Sequence, residues 1–314
     1  MRFNAQFALC CALFGQTLFG QAVERPHILG VAHMALYVKD LDKTRQFYEK
    51  FLGFGEPFTL PKKDGTGTRI VFVKVNDNQY IEIFNEKDRG EGQLNHISIY
   101  TESADRMRDY LATKGVEVPA VVGKGQTRNK NFNIKDPDGH IVEIVEYQPD
   151  GWTTREKGKF MADTRIADHI MHVGVLVGNL EKSMTFYRGI LGFNEFWRGS
   201  GSGKSLSWVN LRVPEGEDYV ELMLYSKLPA PADRGGKNHM SLTVPDAEKA
   251  LAELKKRAAA GLYDKEIAIQ IGVNRKRQIN LFDPDGTRVE LMEANTVDGK
   301  PVPSSNAPPP ASGN

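Results

Sequence analysis

One order of four residues occurs twice in this chain: His33, Glu82, His96 and Glu143, then His172, Glu221, His239 and Glu290. Their contexts repeat with them. HMALYVKDL answers HVGVLVGNL, YIEIF answers YVELM, NHISI answers NHMSL, and DPDGHIVEIVE answers DPDGTRVELME. The offset is 139 residues for the first two members and drifts to 143 and 147, as short loop insertions would make it. A repeat this long constrains the fold before any residue preference is consulted, because the chain must be built from copies of one unit. A length of 314 residues accommodates two domains of roughly 150 each.

Each domain repeats again inside itself. Residues 31–38 alternate as a strand, and Leu41, Phe47, Tyr48, Phe51 and Leu52 recur at helical spacing over 41–52. Strands are expected near 57–61, 69–75 and 79–84. The same order then returns: strand 95–101, helix 103–114, and strands near 117–122, 128–135 and 141–147. The second domain matches, with helices at 180–191 and 246–257. The expected fold class is therefore α+β: four βαβββ units of roughly 60 residues forming two tandem domains. The expected boundaries are 23–148 and 169–295, with a polar linker over 149–168. Residues 296–314 are rich in Pro, Ser and Gly and are expected to be disordered.

Successive strand residues point to opposite faces. Met34, Leu36 and Val38 share the face that suits a helix, and His33 lies on the other. Ile97 and Ile99 oppose His96; Val173, Val175 and Val177 oppose His172; Met240, Leu242 and Val244 oppose His239. In all four cases the histidine is read as opening its strand, with a small neighbour on its own face (Ala35, Ser98, Gly174, Ser241) that leaves room for a ligand. Glu82, Glu143, Glu221 and Glu290 oppose aliphatic residues on the last strand of each unit. A curved sheet made of two units would gather two imidazoles and two carboxylates in one cleft. Such a set suits a divalent Zn, Ni, Co, Mn or Fe(II) ion, possible once per domain, and the two carboxylates neutralise it. His27, His140 and His169 are not repeated and are read as ordinary polar residues. Asn95, Asn238, Tyr80 and Tyr219 are candidates to support the ligands, and Arg69, Arg128 and Arg277 to hold an anionic substrate.

Residues 1–22 read as a signal peptide: Arg2, an apolar run from Phe7 to Phe14, and small Gly20 and Ala22 before the cleavage point. This makes the expected location secreted or periplasmic. Both cysteines, Cys10 and Cys11, fall inside that segment, so the mature chain is expected to offer no thiol ligand and no disulfide. Beyond it stand 40 basic and 40 acidic residues. That balance gives no electrostatic reason for a nucleic-acid or anionic-membrane partner; the expected partner, a small-molecule substrate, follows from the cleft instead.

These motifs carry a resemblance. His33 to Phe54 and His172 to Phe193 follow the pattern H-x4-V-x-[DN]-L then FY-x3-LGF, and Asp136 to Glu143 and Asp283 to Glu290 follow DPDG-x3-E. The chain thereby resembles the vicinal oxygen chelate superfamily of glyoxalase I, bleomycin-resistance proteins and extradiol dioxygenases, over roughly 30–147 and 169–293. The resemblance implies two tandem glyoxalase-like domains whose clefts hold a metal that binds substrate through adjacent oxygens. Glyoxalase I-like members use His, Glu, His, Glu, which matches both sets here. Extradiol-like members use only the equivalents of His33, His96 and Glu143, or His172, His239 and Glu290.

The implied activity is a metal-dependent lyase or isomerase in which Glu143 or Glu290 shuttles a proton. The alternatives are an Fe(II) ring-cleaving dioxygenase and a periplasmic binding protein without turnover. A secreted chain would seldom meet glutathione, so the resemblance speaks for the metal site more than for a glutathione adduct.

Overall fold

The computed structural model describes residues 23–86 and 93–311. The expected signal peptide lies outside the described residues. The first unit runs β1 (Ile28–Tyr37), α1 (Leu41–Arg45, widening into a π-helical turn over Gln46–Phe51), β2 (Gly55–Pro61), β3 (Thr68–Lys74) and β4 (Tyr80–Phe84). The second runs β5 (Leu94–Thr101), α2 (Ala104–Thr113), β6 (Gly123–Lys124), β7 (Lys130–Lys135) and β8 (Ile141–Glu146). A one-turn helix, α3 (Trp152–Arg155), interrupts the linker. The third unit holds β9 (Ile170–Val177), α4 (Leu180–Met184, with a π-helical turn over Thr185–Ile190), β10 (Asn194–Gly199), β11 (Trp208–Arg212) and β12 (Tyr219–Leu224). The fourth holds β13 (His239–Thr243), α5 (Ala247–Ala259), β14 (Ile269–Ile271), β15 (Lys276–Phe282) and β16 (Arg288–Thr296).

Each pair of units forms one eight-stranded mixed sheet, in the orders β2-β3-β4-β1-β5-β8-β7-β6 and β10-β11-β12-β9-β13-β16-β15-β14. Within a unit the first strand lies parallel to the last, as β1 does to β4 and β5 to β8. The two first strands then meet antiparallel at the sheet centre, His33 opposite Ser98 and Ala35 opposite His96. Units therefore pair within each domain, a choice the repeat alone left open. The helices cover one sheet face, where Met34, Leu36, Ile97, Ile99, Val173, Val175, Met240 and Leu242 form the core. Each such fully buried aliphatic side chain contributes about 1.5–3 kcal/mol. Side chains cap the helix starts, with Asp40 accepting from Lys43 N and Asn179 from Lys182 N.

Three local expectations differ. The strand expected at 117–122 is irregular chain that bends at Ala120 and Val121, with only Gly123 and Lys124 bonded to β7; Pro119 has no N–H for a ladder. Only His239 opens its strand; β1 starts five residues before His33, and residues 28–32 continue the pairing with β5. The tail over 297–311, expected to be disordered, has no regular structure past Thr296 but lies along β10. Ser305 N donates to Arg198 O (2.9 Å) and Leu206 N to Pro308 O (2.8 Å), covering that sheet edge.

The domains meet through repeat-equivalent contacts about a pseudo-twofold axis. The Tyr48 hydroxyl donates to Asp283 Oδ2 (3.2 Å) across the boundary, and Tyr187 answers to Asp136 Oδ2 (3.0 Å). Lys39 N donates to Asp285 Oδ2 (3.1 Å), and Gly178 N to Asp138 Oδ1 (3.0 Å). At the centre, Ile170 N donates to Gln79 Oε1 (2.7 Å), and Val31 N to Asp218 Oδ2 (2.8 Å). The DPDG turns thus do two jobs. Asp136 Oδ1 accepts from the N–H groups of Asp138 and His140 and Asp283 Oδ1 from those of Asp285 and Thr287, closing hairpins whose glycines take φ of 86° and 89°. The other carboxylate oxygen reaches the opposite domain.

Candidate metal centres

In the first domain β1 and β5 place His33 and His96 with their Nε2 atoms 2.8 Å apart. The outer neighbours β4 and β8 bring the carboxylates. Glu82 Oε2 lies 3.2 Å from His33 Nε2 and 3.3 Å from His96 Nε2, and Glu143 Oε2 lies 3.2 and 3.9 Å from the same atoms. All four side chains are buried. In the second domain His172 and His239 Nε2 are 3.1 Å apart, with Glu290 3.5 Å from His172 and Glu221 3.5 Å from His239. The triads His33–His96–Glu143 and His172–His239–Glu290 each bring one ligand atom per residue within 4.8 Å of one another. Buried nitrogen and oxygen donors converging on one point fit a divalent ion.

The surroundings tune the rings. Tyr80 stacks on His33 at 4.3 Å and Tyr219 on His172 at 4.5 Å. Asn95 Oδ1 lies 2.8 Å from His96 Nδ1, which donates to it and leaves the Nε2 lone pair for a metal. Asn238 does otherwise: its Oδ1 accepts from Leu176 N (3.2 Å). The small neighbours also act differently from expectation. A Cβ on Gly174 would lie 2.2 Å from the His239 ring, so the missing side chain makes room for the partner imidazole. Ser98 Oγ donates to Glu143 Oε2 (2.9 Å), and Asn131 Nδ2 donates to its Oε1.

The two centres differ in charge. Burial alone would push His33 down, but the hydrogen bonds its ring donates to Glu143 and Glu82 outweigh it and hold His33 at about 9. Burial would raise Glu82, yet His33 and His96 hold it at about 2, and Glu143 is lowered in the same way. In the second centre burial wins. It drives His172 and His239 well below the ordinary imidazole value, with Arg288 adding to it, and lifts Glu221 to about 8 and Glu290 upward. Arg288, on the strand position that Ile141 takes in the first domain, is one cause: its Nη2 lies 2.7 Å from His239 Nδ1. Lys237 O lies 3.2 Å from the same nitrogen. A ring that ligates through Nε2 carries its proton on Nδ1, donates to Lys237 O and no longer accepts from Arg288.

The clefts differ in filling as well. Trp152, delivered by α3, is buried against Phe58, Phe72 and Tyr80 on the cleft face of the first sheet. Its anchors are Trp152 N to Thr127 O (3.1 Å), Asn129 Nδ2 to Thr153 Oγ1 (2.9 Å), and Lys74 Nζ to Glu156 O. In the second sheet the register puts Trp197, Trp208 and Asn210 where Phe58, Ile70 and Phe72 stand in the first. There a cavity of about 70 Å³ opens beside Glu221 and Glu290, walled by Trp197, Trp208, Gln278 and Arg288.

A model of the Glyoxalase/Bleomycin resistance protein/Dioxygenase superfamily matches residues 30–144 and again 169–291. The chain belongs to that superfamily. It is 26% identical over 137 residues to a 2,2',3-trihydroxybiphenyl dioxygenase of Sphingomonas paucimobilis, covering 41% of this chain and 45% of that protein. It is 24% identical over 169 residues to a lactoylglutathione lyase of Arabidopsis thaliana, covering 51% and 53%. The chain thus spans about half the length of these curated relatives. The fold is also that of the 2,3-dioxygenase LapB from Pseudomonas sp. KL28, with a TM-score of 0.66 at 17% identity over 89% of this chain and 98% of that one.

Each vicinal oxygen chelate domain brings together the four residues singled out for it in the sequence. Of the arginines, Arg69 pairs with Glu86, Arg128 stands 3.9 Å from Asp150 and Arg277 3.4 Å from Glu293, so none of the three faces a centre. Arg288 and Trp152 were missed. Arg288 breaks the repeat where Ile141 stands, which is the sequence signal that could have found it; Trp152 has no counterpart in a repeat.

Proposed function

We propose that the chain is a divalent-metal-dependent lyase or isomerase that moves a proton between neighbouring carbons of a small substrate bound through vicinal oxygens. The second cleft is its reaction site. The observation that carries this reading is that Glu221 and Glu290, two members of a His2Glu2 set, border an open cavity, while Trp152 covers the equivalent face of the first cleft. When bound, a divalent ion held by His172, His239, Glu221 and Glu290 supplies Lewis acidity to the substrate oxygens. The chain's own groups do the rest. Glu290 takes and returns the proton. Trp197 and Trp208 wall out bulk water. Glu143, by contrast, has both oxygens engaged by Ser98 and Asn131, which suits a static ligand.

Deuterium exchange into dihydroxyacetone, with metal analysis of the same sample, tests this. Zinc-, nickel- or cobalt-loaded protein should catalyse exchange without consuming O₂. Glu290→Gln should abolish the exchange, and Glu143→Gln should keep it while losing about one metal equivalent. Absence of exchange in fully loaded protein sinks the proposal. A second reading, Fe(II) ring cleavage, draws on the His-His-Glu triads, the ligand set of extradiol-like members. Iron in the purified protein with O₂ uptake on catechols would establish it instead.

A further inference from the structure

The second cleft keeps polar groups that nothing in the fold satisfies. Among the described residues, Trp197 Nε1, Gln278 Oε1 and Arg288 Nε are buried without a hydrogen-bond partner, and so is Asn210 Oδ1 on the strand position opposite Glu221. The first three residues line the cavity of about 70 Å³ beside Glu290 and Glu221. Leaving a buried donor or acceptor unmade costs about 1–3 kcal/mol each, so a cluster of them at one cavity marks a surface built to be completed by a ligand. At roughly 30 Å³ per water, the cavity takes two or three oxygen-sized groups.

Charge says which ligand. Two carboxylates balance a divalent ion, and among the described residues the charged groups acting on His33 in the first centre are those two carboxylates, Glu143 and Glu82. The second adds Arg288, which has no carboxylate within ion-pair distance among the described residues and whose neighbour at the cleft is the imidazole of His239. The half-buried Lys276 adds a second positive charge within electrostatic reach of Glu290. A metal-loaded second centre is thus short of negative charge at the cavity wall. A guanidinium with free donors matches a carboxylate in a planar fork.

Building on the reading of the second cleft as the reaction site, we propose that Arg288 anchors a carboxylate on the substrate. The cleft then takes small 2-hydroxy or 2-oxo carboxylates: one carboxylate oxygen meets Arg288, and the other, with the adjacent 2-oxygen, forms the vicinal pair turned to the site that His172, His239, Glu221 and Glu290 surround. The apolar Ile141 at the matching place in the first domain offers no such anchor.

Calorimetric titration of zinc-loaded protein with glycolate and with ethylene glycol, its uncharged counterpart, tests this without relying on turnover. Glycolate should bind once per chain and at least tenfold more tightly than ethylene glycol. Arg288→Gln should lower glycolate affinity at least tenfold with zinc content and ethylene glycol binding unchanged, and Arg288→Lys should recover part of the loss. Equal affinity of the wild type for the two probes overturns the anchor, and needs no variant to fold. Glycolate binding that survives Arg288→Gln overturns it as well, while leaving the second cleft as the ligand site. If neither probe binds, or if Glu143→Gln rather than Glu290→Gln abolishes binding, the anchor and the cleft reading fall together.

Discussion

At the residue scale the two centres are one ligand set in two settings. His96 has Asn95 behind it, which fixes the tautomer a metal needs. His239 has Arg288 behind it, which in the metal-free protein favours the opposite tautomer. Asn95 and Asn238 stand at equivalent sequence positions but serve different atoms, one a histidine ring and one the backbone of Leu176. Removing Asn95 should therefore weaken metal binding in the first domain by roughly 10–100-fold, the usual effect of losing a group that orients a ligand. Competitive chelator titration of Asn95→Ala should show one site weakened. Asn238→Ala should leave both affinities unchanged and appear only as lost stability.

At the element scale, strand alternation places every ligand, and loops decide what the clefts and domains do with them. In the π-helical turn that follows α1, Phe47 and Tyr48 both enter the core, and Tyr48 carries its hydroxyl on to Asp283. Tyr187 repeats this with Asp136. Both tyrosine hydroxyls are pushed well above their ordinary value by burial, with the facing aspartates adding to it, so both stay as donors. Tyr48→Phe and Tyr187→Phe should each cost about 1–3 kcal/mol in urea unfolding, because each leaves a buried carboxylate oxygen without its partner. The two losses should add, since the pairs share no atoms. Helix α3 is the other decisive element. Trp152→Ala should cost about 3–5 kcal/mol as a buried aromatic truncation. It should also speed removal of metal from the first centre by a chelator, with the second centre unaffected.

For the whole molecule, the interface around the pseudo-twofold axis uses Gln79 and Asp218 at equivalent positions to bond β9 and β1. Asp218 also takes His169 Nε2 at 2.7 Å, a contact without a counterpart in the first domain's set. The Asp218 hydrogen bond raises His169, against the opposing pull of partial burial. The stabilisation is therefore fully present below the unfolded imidazole value near 6.5 and is lost as pH rises through the raised folded value. The melting temperature of the wild type should exceed that of His169→Gln at pH 6, and the gap should narrow by pH 9. A gap that stays constant or widens would remove His169 from the interface's pH response. His169, which the sequence treats as an ordinary polar residue, thus braces from within its own domain the aspartate that bonds to β1 of the other.

Much of this was legible without coordinates, because periodicity and repetition are properties of the chain itself. The doubling of His and Glu, their strand faces and the order βαβββ follow from a two-residue alternation and a 139-residue offset. Those local rules hold wherever a half-buried sheet forms. Three things depended on pairings between residues far apart. The sheet register decided that the units pair within a domain and that Gly174 makes room for His239. Docking of the two domains gave the DPDG carboxylates and the FY tyrosines their partners across the boundary. The path of the linker carried Trp152 to the first cleft, while Arg288 was left beside the open one. Composition and spacing say which side chains a strand presents. What stands opposite them, and so their charge and their access, is set only when distant segments of the chain are brought within a few ångströms.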